Sequence, residues 1–319
     1  MHQLIKEEII SRLANPILKE LSDSAVIDYK ERLAFTTDSF VVSPLFFPGA
    51  DIGKLAVCGT VNDLTMMGAL PQYLSLGLII EEGLPQRTLE KIIDSIALAA
   101  KQAGVRVVTG DLKVVEKGAA DKIFINTSGI GRTITKRKLS LKNIRPGDKI
   151  IITGQIGQHG LAVLAKRKEL DFGFNILSDC AALSNLLIPI LKKTDDIVFM
   201  RDPTRGGVAT TLNEIAQGVG LGVVIEEKSI PIASKVRVAC ELLGIDPLYV
   251  ANEGRAIILV RPQAAKKVLA MLRKHALGRA ASIVGEVVRQ PKGCVVLNTA
   301  VGTRRIVDML SGEPLPRIC

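Results

Sequence analysis

Residues 88–111 read TLEKIIDSIALAAKQAGVRVVTGD. Up to Gly104 the apolar residues recur at helical spacing, which predicts an amphipathic helix with Thr88 as its cap and Gly104 as its stop. The β-branched run that follows at once predicts a strand ending near Asp111. Just downstream, KIFINTSGIGRTI (122–134) alternates Ile123, Ile125 and later Ile130, the pattern of a half-buried strand. A helix feeding directly into strands makes the first half a mixed α and β unit.

The second half repeats that mixture. NIRPGDKIIITG (143–154) places a Pro-Gly turn before a β-branched run, so a second unit is expected to begin near residue 146. GVVIEE, RAIILV and ASIVGEVV read as strands, and GGVATTLNEIAQGVG and PQAAKKVLAMLRKHA as helices. At 319 residues the chain exceeds the comfortable size of one core. The expected fold class is therefore α/β (α+β), with domains at 1–145 and 146–308 and a flexible tail at 309–319, where Gly312, Pro314 and Pro316 stop regular structure.

Composition removes several classes of function. Apolar residues at 47 % against 23 % charged exclude a disordered chain. YLSLGLII (73–80) is too short to span a bilayer and runs into Glu81 and Glu82, while MHQLIKEEII carries charge where a signal peptide is apolar; no membrane association and a cytoplasmic location are expected. The net charge of +10 invites nucleic acid, but the basic residues are scattered, TKRKLSLKNIR is their one cluster, and aromatics are 3 %, so no nucleic-acid binding is expected. Five cysteines lie far apart with no C-x-x-C pair; Cys58, Cys180, Cys240 and Cys294 are expected to be buried thiols, and Cys319 stands apart as the last residue of the sequence.

Chemistry is carried by aspartates in four short segments: FTTDSFVV (Asp38), GADIGKLAVCGTVNDLTMMGA (Asp51, Asn62, Asp63), VVTGDLKVV (Asp111) and MRDPTRGGVATTLNE (Asp202). Magnesium favours a few carboxylates combined with substrate phosphates and water, which aspartates converging from separate elements would suit. Each taken alone also reads as a turn former or helix cap. Asp63 resists that reading, because it puts a charge in an apolar helical stretch. Thr204, Arg205, Gly206 and Gly207 form the best phosphate cradle, with a fork-shaped donor, two glycines and a helix N-terminus. GQIGQHG (154–160), with His159, is a weaker second cradle. No P-loop and no G-x-G-x-x-G after a strand are present, so any ATP site is of another kind.

These residues resemble the ATP-dependent superfamily of aminoimidazole ribonucleotide synthetase, selenophosphate synthetase and thiamine monophosphate kinase. Within it TTDSF, NDLTMMGA, TGDLKVV, DPTRGG, NEG and the terminal PRIC are similar to the HypE family of carbamoyl dehydratases, over essentially the whole chain. The resemblance implies two domains of the aminoimidazole ribonucleotide synthetase type, whose N-terminal sheets pair across a homodimer. It implies that Cys319 accepts a carbamoyl group from the carbamoyltransferase HypF, that the enzyme dehydrates it with ATP and Mg2+ to a thiocyanate, and that cyanide passes to the HypC–HypD complex for hydrogenase iron. Asp38, Asp51, Asp63, Asp111 and Asp202 would bind magnesium and phosphate, with Asn62 beside them; Lys113 and Glu253 would serve proton transfer and oxygen stabilisation. Leu112 stands where that family suggests Thr, and Gln158 where it suggests an acid. The alternatives are a small-molecule kinase or synthetase of the same superfamily, needing no terminal thiol, and a non-catalytic docking module, needing no aspartate cluster. Cys319 as a redox thiol or metal ligand has no neighbouring Cys or His in sequence to complete it.

Overall fold

The structure, a computed structural model, describes Arg12 and residues 30–310. In chain order these form β1 (Leu33–Phe40), β2 (Phe46–Phe47), β3 (Ala50–Asp51), α1 (Ile52–Met66), β4 (Ala69–Glu81), α2 (Gln86–Ala103), β5 (Arg106–Val115), β6 (Ile123–Thr133), β7 (Lys149–Ile152), α3 (Gln158–Arg167), α4 (Ser184–Leu191), β8 (Ile197–Arg201), α5 (Gly207–Val219), β9 (Gly222–Glu226), α6 (Ser234–Leu243), β10 (Ile257–Val260), α7 (Ala265–Arg273), β11 (Ser282–Val288), β12 (Val295–Asn298) and β13 (Arg304–Val307). Cys319 and the tail residues after Leu310 lie outside the described residues.

The first domain is a four-stranded sheet, ordered β1-β6-β4-β5, with α1 and α2 against one face. Leu74, Leu76, Leu78 and Ile80 alternate inward along β4 onto Ile92, Ile93 and Ile96 of α2. The helix runs three residues further upstream than a Thr88 cap allows: Pro85 stands at its start, and Gly104 closes it in the left-handed conformation (φ 72°). β5 continues beyond Asp111 to Val115, because Leu112 faces the core and is paired with Leu78. The outer face of this sheet is left uncovered by the described residues: Phe35 is 69 % exposed, and Leu33 and Ile79 are exposed with it.

The second domain is a seven-stranded sheet, ordered β13-β12-β9-β11-β7-β10-β8. Both faces are covered. Ile150, Ile152, Ile257 and Leu259 pack on one side with Val208, Leu212 and Ile215 of α5, while Ile151, Ile258 and Val260 pack on the other with Leu187 and Val268 of α4 and α7. That double burial is why β7 and β10 read as unbroken apolar runs. Cys58, Cys180 and Cys240 are buried as expected, but Cys294, in the turn before β12, is half-buried. Among the described residues no helix is long and apolar enough to cross a membrane.

Candidate functional site

The two domains meet where the inner face of β1, the last turns of α1, the segment after β8 and the irregular stretch before β10 come together. The inward residues of β1 include Thr36 and Asp38, placed on one face by the two-residue period of the strand. Thr36 Oγ1 donates to Asp63 Oδ2 at 2.8 Å, which ties the α1 aspartate to the strand carrying Asp38. Gly59, one turn before Asp63, lets the helix approach: a Cβ there would stand 2.8 Å from the Phe40 ring. Asp202 follows the end of β8 and Glu253 lies just before β10. Asp38, Asp63, Asp202, Thr204, Arg205 and Glu253 together line a cavity of about 250 Å3.

Carboxyl groups dominate this cavity, and their protonation reflects it. Burial pushes Asp38 above its ordinary value, with the repulsion of Asp63 adding to it and the Ser39 N–H, which donates at 2.8 Å, opposing it. Asp63 is raised by burial against the Thr36 hydrogen bond and the Arg201 charge. Asp202 is pushed up to about 7 by burial and then by Asp63. Glu253, 3 % exposed, lies well above the carboxylate range through burial and then the charges of Asp202, Asp179 and Asp38. Its Oε1 is buried with no hydrogen-bond partner among the described residues. Glu253 thus lines one cavity with three aspartates, whose carboxylates are hard oxygen donors.

Beside the carboxyls lies the expected cradle. Gly206 (φ 74°) and Gly207 (φ 61°) both hold left-handed conformations at the start of α5. A Cβ on Gly207 would meet the Leu248 and Val250 carbonyl oxygens at 2.6 Å, so the turn is built for glycine. Thr204, Arg205 and Gly206 also line an adjoining cavity of about 540 Å3 that runs to Leu310, the last described residue. The weaker cradle does not reach this place: His159 is fully buried, edge-on to Phe47, with Nδ1 2.9 Å from Ser178 Oγ.

The remaining residues of the sequence-derived set are placed elsewhere. Asp51 caps α1, accepting from Gly53 N (2.7 Å), Lys54 N (3.1 Å) and Ser95 Oγ (2.6 Å), so its carboxylate is already occupied. Asn62 does not face the cavity; its Nδ2 donates to the Ala181 and Glu253 carbonyls, both at 3.1 Å, and its Oδ1 accepts from Leu183 N at 2.8 Å. Asp111 and Lys113 pair in register with Gly77 and Ile79, on the outer face of the sheet and therefore opposite Asp38 within one chain. Among the described residues no three His, Cys, Asp or Glu side chains form a ready-made metal cage. A magnesium ion with few protein ligands is nonetheless compatible with the hard oxygens of Asp38, Asp63 and Asp202, since it takes its other ligands from phosphate and water.

Two residues escaped the sequence reading. Gly59 left a trace, a small residue at helical spacing from Asp63, and Asp179 left none, being a single acid in the irregular NILSDCAAL.

Comparison with known proteins gives the same geometry a lineage. Residues 21–133 match the family model for AIR synthase related protein, N-terminal domain, and residues 145–298 that for its C-terminal domain. The carbamoyl dehydratase HypE of Cupriavidus necator is 47 % identical over 319 residues, covering 99 % of this chain and 91 % of the relative. A crystal structure of hydrogenase maturation protein HypE in complex with ATP superposes with a TM-score of 0.96 at 46 % identity, covering 100 % of this chain and 96 % of that one. The structure of a HypE–HypF complex matches with a TM-score of 0.85 at 48 % identity, covering 96 % and 99 % of the two chains.

Proposed function

The chain belongs to the HypE family of carbamoyl dehydratases, with the two domains of the AIR synthase related proteins, and from that membership we propose that it dehydrates an S-carboxamide on its own Cys319 to a thiocyanate, at the expense of ATP. The observation that carries this reading is Glu253: a buried carboxyl, its Oε1 without a hydrogen-bond partner among the described residues, in a residue that lines the same cavity as three aspartates and an arginine. Loss of both protons of an amide nitrogen needs a titratable group to accept one, and the departing phosphate can carry the other.

An amide oxygen is a poor leaving group, and bound ATP with Mg2+ would supply the phosphoryl group that converts it into a good one. Asp38, Asp63 and Asp202 would hold the metal. Thr204, Arg205 and N–H groups of the first turn of α5 would hold phosphate oxygens, with Gly206 and Gly207 letting the backbone approach. Burial, and after it the surrounding carboxylates, raise the pKa of Glu253; neutralising those carboxylates would remove the second cause and favour the ionised form that accepts a proton from the amide nitrogen.

Asp111 and Lys113 join this scheme from a second copy. They share the outer sheet face with exposed Phe35, Leu33 and Ile79, and a homodimer burying that apolar face would carry both residues to the partner's side. Domain limits of 1–145 and 146–308, a cytoplasmic setting, the carbamoyltransferase HypF as carbamoyl donor and a HypC–HypD complex as cyanide acceptor complete the proposal; a matched HypE–HypF complex supports the HypF part.

Mass spectrometry of the C-terminal peptide, after incubation with HypF, carbamoyl phosphate, ATP and Mg2+, tests it. The expected result is carbamoylation of Cys319 followed by nucleotide-dependent loss of one water. A peptide that remains unmodified, or stays carbamoylated with ATP present, overturns it.

A further inference from the structure

The segment from Leu177 to Leu183 has no regular structure, yet it is fixed at both ends. Ser178 N donates to Pro48 O at 2.7 Å in the first domain, and Leu183 N donates to Asn62 Oδ1 at 2.8 Å on α1. Between these anchors Asp179 turns its carboxylate into the second domain. Its side chain is 0 % exposed, although it carries a charge that burial penalises.

Two backbone N–H groups and a guanidinium answer that charge, from three consecutive residues. Oδ1 accepts from Glu253 N at 3.3 Å, Oδ2 accepts from Gly254 N at 3.4 Å, and Oδ2 is paired with Arg255 Nε at 3.4 Å. Arg255 is fixed in turn, donating from Nε to Gln155 O at 2.7 Å and from Nη2 to Gln158 Oε1 at 3.0 Å. The two backbones pack so closely that a Cβ on Gly254 would stand 1.9 Å from the Asp179 carbonyl oxygen. From the other side, Asn62 Nδ2 donates to the Glu253 carbonyl at 3.1 Å. The backbone of Glu253 is thus gripped at its N–H by one segment and at its C=O by another, while its side-chain Oε1 is left without a partner among the described residues.

We infer that Asp179 is a positioning residue for the dehydration, holding the Glu253–Gly254 turn so that the Glu253 carboxyl points into the aspartate cavity. A carboxylate suits this task because its two oxygens accept two adjacent N–H groups at once, which a hydroxyl or an amide oxygen does less well. The inference rests on Glu253 being the proton-transferring group. If Asp179 acts only through Glu253, removing Glu253 must erase the effect of changing Asp179.

The test is a double-variant cycle on the full-length chain carbamoylated at Cys319. Single-turnover dehydration at saturating ATP and Mg2+ is followed, over hours where needed, for wild type, Asp179→Asn, Glu253→Gln and the double variant, with nucleotide affinity measured alongside. Asp179→Asn is expected to slow the step about 100-fold through misplacement of the catalytic carboxyl, with ATP affinity held within about twofold. In the Glu253→Gln background the same change is expected to cost less than about twofold. Equal slowing in both backgrounds, or no slowing by Asp179→Asn, overturns the positioning role while leaving the proposed reaction intact. A wild-type rate for Glu253→Gln overturns the proposed reaction scheme itself, and the positioning role with it. Should Asp179→Asn fail to fold, Asp179→Ser keeps one acceptor without a buried charge and is read in the same cycle.

Discussion

Asn62 and Glu253 are hydrogen-bonded across the two domains: Nδ2 of Asn62, on α1, donates to the Glu253 carbonyl at 3.1 Å. The same side chain also serves Ala181 O and Leu183 N, so one residue, 1 % exposed, satisfies three backbone groups of the second domain. Asn62→Ala is expected to leave those groups buried and unpaired, destabilising the fold by about 2–4 kcal/mol. Asn62→Asp is expected to be at least as damaging, since it presents a carboxylate to two carbonyl oxygens. Denaturant midpoints check this; an unchanged midpoint for Asn62→Ala would show that these three hydrogen bonds do not hold the fold together.

The crowded carboxyls give the stability a pH signature. Asp202 titrates at about 7 in the folded chain, raised by burial and by Asp63 from an ordinary value of 3.8. Between those two values the folded state binds a proton that the unfolded state has released. The group's contribution to stability is therefore full below pH 3.8 and is lost progressively as pH rises towards about 7. Asp38 and Asp63, also raised, act in the same direction. The metal-free protein is expected to lose stability across this window, and Asp202→Asn to flatten the loss. Added Mg2+ is expected to raise the thermal midpoint more at pH 8 than at pH 5, because protons compete with the ion for the same oxygens. A larger shift at pH 5 would contradict the assignment of these aspartates to the metal.

Local pattern carried the fold further than it carried the site. The stripe of α2 and the alternation of β6 were legible because burial on one face leaves a period in the sequence. The aspartates were legible as residues with chemistry, but their grouping was not. Asp51 precedes a helix, as a cap or a ligand alike would, and only the Gly53, Lys54 and Ser95 donors decide that it caps. Asp111 and Lys113 share one side of β5 by simple alternation. Which side that is depends on the strand order β1-β6-β4-β5, a long-range fact with no local trace. Asp179 belongs to no pattern at all, since its partners are backbone N–H groups about seventy residues away in sequence, which any residue type supplies.

The outer face of the first sheet, left uncovered by the described residues, bears on assembly. Phe35 stands at 69 % exposure in register with Ile130, which is paired in turn with Tyr73. Phe35→Glu places a charge at the centre of any apolar contact made there, at a side chain that is mostly exposed within the chain. It is expected to convert a dimer into a monomer in sedimentation velocity while the thermal midpoint of the isolated chain changes little. A variant that remains dimeric would direct the search for the interface to another surface.

Mixing two inactive variants tests whether that dimer completes the site. In the proposed arrangement a working centre takes Glu253 from one chain and Lys113 from its partner. Lys113→Ala alone and Glu253→Gln alone then each disable every site. A heterodimer of the two retains one intact centre, where Glu253 of the Lys113→Ala chain meets Lys113 of the Glu253→Gln chain. With random pairing about half the dimers are mixed, and each has one of its two centres restored, so about a quarter of wild-type activity is expected on mixing and re-equilibration. Activity that stays at the level of the separate variants, under conditions where subunit exchange is demonstrated by mass spectrometry, would place Lys113 outside the partner's site. The outer-face position of Lys113, paired with Ile79 and turned away from Asp38, would then mark it as a surface lysine of the interface and leave Glu253 as the proton-handling group.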